Sequence, residues 1–70
     1  MYYKDILIGQ RILIEVEGDY FDRYYIPAKV INVNKQYIEM LIINNNSFIR
    51  RLTKNVVVVE NKLIALLDLN

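Results

Sequence analysis

Seventy residues, 54% of them hydrophobic and 24% charged, make one small folded domain rather than a disordered chain. The chain contains no Cys and no His, which removes disulfide staples, zinc sites built on thiolate or imidazole, haem ligation and Cys/His or Ser/His nucleophilic catalysis by inventory. Nine Lys plus Arg against eight Asp plus Glu leave a net charge of +1, so any binding to nucleic acid or anionic lipid requires a local patch rather than a global field.

Met1-Tyr2-Tyr3-Lys4-Asp5 leads into Ile6-Leu7-Ile8 with neither a long apolar core nor a small-residue cleavage site. The expectation is an intracellular, cytoplasmic chain without a secretory signal, host-cell or virus-encoded. Uninterrupted apolar runs stop at about five residues, as in Leu63-Ile64-Ala65-Leu66-Leu67, where a membrane-spanning helix needs ~20. No membrane partner is expected.

Ile, Val and Tyr cluster in short runs separated by Gly, Asn, Asp and charged residues, the pattern of strands punctuated by turns. The first strand spans Gln10 to Glu17, with Ile12, Ile14 and Val16 on one face and Leu13, Glu15 and Glu17 on the other. Gly18-Asp19-Tyr20-Phe21-Asp22 supplies the turn into a second strand, Tyr24 to Val33. Pro27 has no N–H to donate, which places it at an edge, a bulge or a non-bonding position. Asn34-Lys35-Gln36 turns into a third strand from Tyr37 to Ile43, with Glu39 facing out. Asn44-Asn45-Asn46-Ser47 turns again, because Asn tolerates positive φ, and Phe48 to Leu52 forms the fourth strand. After the break at Thr53-Lys54-Asn55 comes Val56-Val57-Val58-Val59, a fifth strand apolar on both faces.

The tail reads two ways. Leu63, Leu66 and Leu67 fit one side of a short helix, and Val59 to Leu63 also fits a hairpin into a sixth strand; the spacing leans toward a short helix or irregular cap. With no repeat and no linker, residues 1–70 are one domain, its barrel core at about 8–59 and a cap at 60–70.

Three segments carry a resemblance: Ile8-Gly9-Gln10-Arg11-Ile12-Leu13-Ile14, Tyr25-Ile26-Pro27-Ala28-Lys29-Val30 and Leu52-Thr53-Lys54-Asn55-Val56. Together they resemble the Tudor branch of SH3-like barrels, in which a Gly-led first strand precedes an aromatic-x-Pro/x-Ala-x-Val strand and a one-turn helix joins strands four and five. The resemblance implies an all-β fold, a small barrel of five or six strands. It also implies an aromatic cage for methylated Lys or Arg, to which Tyr20 or Phe21 and Tyr25 would contribute walls through cation–π attraction. Where the family places further aromatics this chain has Ile42-Ile43-Asn44-Asn45-Asn46.

Two constellations remain. Tyr20, Phe21, Tyr24 and Tyr25 straddle the first loop and make a candidate protein-binding patch, since Tyr joins apolar area to a hydrogen-bonding tip. Arg50, Arg51 and Lys54, with Lys29 and Lys35, make the alternative: a nucleic-acid face with Tyr24, Tyr25, Tyr37 or Phe48 as stacking platforms. Residues 23–70 carry seven bases against three acids, which favours such a face; adjacent Arg50 and Arg51 point to opposite sides of a strand, which opposes it. Glu15, Glu17, Asp19 and Asp22 read as solvated carboxylates. The apolar surplus in Met40 to Ile43, Val56 to Val59 and Leu63 to Leu67 suggests a homo-oligomer or a larger protein partner, unless the tail folds back over it. The expectation is a noncatalytic interaction module without metal or cofactor, such as a virus-encoded or accessory factor, with a nucleic-acid-binding barrel as the alternative.

Overall fold

Short runs of β-branched and aromatic residues bounded by turn formers set six strands, which the computed structural model describes within residues 5–68. They are β1 (Arg11–Glu17), β2 (Arg23–Val33), β3 (Tyr37–Ile42), β4 (Phe48–Leu52), β5 (Val56–Val59) and β6 (Lys62–Ala65). The first five match the runs read from the sequence to within about a residue at each end. Residues 1–4, on which the leader reading rests, and residues 69–70 of the expected cap lie outside the described residues. Among the described residues, helix is limited to 3-10 turns such as Asp19–Phe21 and Thr53–Asn55, and no helix is long and apolar enough to cross a membrane.

The sheet runs β4-β3-β2-β1-β6-β5, antiparallel throughout except for the parallel pair β1 and β6. Although β4 and β5 are consecutive in the chain they occupy opposite edges, joined only by Thr53–Asn55, so the sheet curls into a half-barrel. Curling is eased in β2, where the register with β3 shifts between Val30 and Asn32, because a bulge bends its strand. Pro27 sits opposite Leu13 in β2, just past the last β3 pair. Its carbonyl accepts from Ile43 N at 3.2 Å while its nitrogen faces the point where β3 has already turned away.

The inner face holds the core: Ile12 and Ile14 from β1, Ala28 and Val30 from β2, Ile38 and Met40 from β3, Val56 from β5, and Leu63 and Ala65 from β6. Each fully buried Ile or Met stabilises the fold by about 1.5–3 kcal/mol relative to exposure. Because side chains alternate, the same strands expose a second set of residues on the outer face.

The tail corrects one expectation. Residues 62–65 are a strand, not a short helix or irregular cap. Glu60 and Asn61 both adopt left-handed φ, 51° and 66°, and close a two-residue hairpin that pairs Val59 with Lys62. A five-residue apolar run is too short to nucleate helix against that pairing. Beyond β6 the chain continues past Leu66, whose N–H donates to Asn55 O at 3.0 Å. The Asp68 carboxylate accepts from Leu52 N at 3.1 Å and Asn55 Nδ2 at 2.8 Å. Strand β6 and this tail absorb most of the apolar surplus, leaving Ile43, Val58 and Val59 as its exposed members at 40%, 51% and 49%.

Candidate binding surfaces

The loop between β1 and β2 is a tight turn closed twice. Asp22 N donates to Asp19 O at 3.1 Å, and Gly18 N donates to Asp22 O at 2.6 Å. Its two central residues, Tyr20 and Phe21, both take left-handed φ, 57° and 64°. Such a turn favours Asn-Gly, since a Cβ in this region crowds the backbone. The sequence instead supplies two large aromatics, and they are 93% and 86% exposed. The half-exposed Tyr24 ring packs over Gly18 at the base, where a Cβ would stand 2.8 Å from its Cε1 and push the ring aside.

The four aromatics of the sequence patch divide. Tyr24 pairs with Val16 on the inner side of the sheet and Tyr25 pairs with Glu15 on the outer side, so their rings leave β2 in opposite directions. Tyr20 and Phe21, exposed as they are, have almost nothing around them, and the group does not converge into a box. Tyr25 donates its hydroxyl to Glu15 Oε2 at 3.0 Å. That bond, helped by partial desolvation, raises the phenol above its ordinary value.

Glu15 is not a solvated carboxylate. It is 5% exposed and accepts from Tyr25, from Leu67 N at 3.3 Å and from Arg23 at 3.4 Å. Its own carbonyl accepts from the Arg51 guanidinium at 3.0 Å. The parallel ladder of β1 with β6 ends at Ile14, and at the next residue of β1 side chains serve the groups the ladder leaves open. No sequence motif announces this, because the four partners are separated by as many as 52 residues.

The five basic residues do not share one face. Arg51 pairs with Ile38 and points inward, its Nε buried without an acceptor. Arg50 points outward and is held by Glu39, at 2.9 Å from Nη2 and 3.1 Å from Nε to one oxygen. Asn32 Nδ2 donates to the other oxygen of Glu39 at 2.9 Å. These hydrogen bonds, that of Asn32 first and that of Arg50 next, hold the Glu39 carboxyl below its ordinary value. The Arg50 guanidinium lies 5.1 Å from the Tyr37 ring centre and 5.9 Å from that of Phe48, within cation–π range of both. Lys29 lies on the outer face opposite Arg11 and Leu41. Lys35 and Lys54 flank an open cleft of about 390 Å³ completed by Gln36, Tyr37 and Leu52.

Comparison of the chain with family models, curated proteins and solved structures gives no match, so neither fold family nor activity comes to it from a relative.

Proposed function

We propose that this chain is a noncatalytic protein-interaction module that presents the Tyr20-Phe21 turn to a larger protein. The observation that carries the reading is the conflict at that turn. Two aromatics occupy left-handed positions, stay almost wholly in water and fill no part of the core. Local strain of this kind persists where something other than folding requires it. Large, rigid aromatic side chains are the common anchors of protein interfaces, because they bury much area at low entropic cost. Tyr24, half exposed, lies at the base of the same loop.

An SH3-like, Tudor-branch barrel in an intracellular setting fits this proposal. The features supporting that kinship are the Gly9-led first strand, the Tyr25 to Val30 segment and the single 3-10 turn between β4 and β5. The rings are not arranged as a cage for a methylated side chain, so the proposed ligand is a protein surface with an apolar pocket.

The test replaces the turn with Tyr20→Asn and Phe21→Gly. Wild-type and variant proteins serve as baits for affinity capture, and light scattering of each tests a second copy as the partner. The expected result is a partner, or a dimer, present with the wild type and absent with an equally folded variant. Identical capture and identical mass for both proteins would overturn the proposal.

A further inference from the structure

We propose that the cleft between Lys35 and Lys54 binds a nucleotide unit, its phosphate between the two ammonium groups and its base against Tyr37. This site lies at the other end of β2 from the Tyr20-Phe21 turn and is independent of it.

The cleft is built from two turns that are stitched together. Asn34 Oδ1 accepts from Gln36 N at 2.8 Å and Tyr37 N at 2.7 Å, which fixes the turn that carries Lys35. Thr53 then joins this turn to the Thr53–Asn55 turn that carries Lys54: its N–H donates to Gln36 O and its hydroxyl to Asn34 O, each at 2.9 Å. Thr53 is buried, so the bridge is shielded from water. The backbones bearing both lysines are therefore held in place before any ligand arrives.

Charge bookkeeping favours an anion. Two carboxylates lie near: Glu39 is neutralised by Arg50, and Asp68, bound by Leu52 N and Asn55 Nδ2, offsets one of the two lysine charges and leaves the cleft net positive. Among the described residues, Lys35 and Lys54 have no ion-pair partner. The aromatic wall is also fixed, since Arg50, clamped and neutralised by Glu39, lies over Tyr37 and holds the ring in place. The cleft, of about 390 Å³, is open to solvent and so leaves room for a strand to pass across it. A second cleft, of about 350 Å³ between the start of β1 and the β5–β6 hairpin, is lined by Arg11 and Lys62 but by no aromatic among the described residues, so it offers charge without a stacking surface. Phosphate contacts beside an exposed ring are the elements by which proteins hold single-stranded nucleic acid, and a free mononucleotide has the same chemistry.

Fluorescence anisotropy with a labelled single-stranded oligonucleotide tests the site, with unlabelled mononucleotide as competitor. The wild type is expected to bind with a log–log salt slope of about −0.7, the value for one neutralised phosphate on a single strand. Lys35→Ala with Lys54→Ala should lower affinity at least about tenfold and flatten that slope. Tyr37→Leu should lower affinity about tenfold while leaving the slope unchanged, as loss of stacking alone requires. Lys29→Ala with Lys62→Ala removes the same charge elsewhere and should change little. Competition by mononucleotide at concentrations comparable to those of oligonucleotide assigns the site to free nucleotides; weak competition assigns it to strands; both support the cleft. Absence of binding at about 50 mM salt, or equal losses in the two lysine pairs, would overturn it. Circular dichroism of each variant separates lost binding from lost folding.

Discussion

At Tyr20 and Phe21 the backbone asks for one kind of residue and the chain provides another. Relief of that mismatch is measurable: Tyr20→Asn with Phe21→Gly should raise stability by about 1 kcal/mol, since both positions lie in the left-handed region and neither side chain is buried. Urea denaturation checks it, and a loss of stability instead would show that the rings pack in solution. Glu39 gives a second prediction at this scale. A carboxyl held below its ordinary value adds stability above its unfolded pKa and loses it as pH falls through the folded one. Glu39→Gln should therefore melt below the wild type at neutral pH, with the gap closing as the solution is acidified through and below about pH 4.5. A gap independent of pH would assign the loss to the Arg50 contact geometry rather than to charge.

Among the elements, the β5–β6 hairpin and the tail decide how the barrel closes. Glu60→Asn with Asn61→Gly should stabilise the protein by roughly 1 kcal/mol, because Asn-Gly is the favoured pair where both φ values are positive. Asp68→Ala should cost about 1–3 kcal/mol, since Leu52 N and Asn55 Nδ2 both lose their acceptor. Denaturant midpoints report both. The same region explains what was legible in the sequence. The first three strands followed from alternation, since a shift of one residue would turn their core side chains into water, and the fourth and fifth from the turn residues that bound them. Leu63 to Leu67 satisfies helical and alternating spacing at once, and neither Glu60 nor Asn61 is a Gly that would announce a hairpin. The opposed faces of Arg50 and Arg51 could be read from their adjacency. That Arg51 reaches the carbonyl of Glu15 could not, because it depends on how the curled sheet brings β4 to β1. For the same reason the sequence grouped Lys29 with Lys35 and Lys54, which the pairing of β2, β3 and β4 separates.

For the whole molecule, β6 is the strand between β1 and β5, so residues beyond 59 hold the barrel together. A chain ending at Val59 should show no cooperative melt by circular dichroism, having lost Leu63 and Ala65 from the core and the pairing partner of β5. A cooperative transition in that truncated chain would mean that β5 can dock elsewhere. The short Thr53–Asn55 link has a bearing on how the barrel can fail. From Leu52 to Val56 the chain spans at most about 14 Å, so the two outer strands are leashed at that end however far the rest relaxes. The seam can gape only at the opposite end, where Phe48 begins β4 and Val59 finishes β5. Strand exchange between copies must start there, beside the half-exposed Val58 and Val59, and proceed toward the leash like a zipper with one fixed stop.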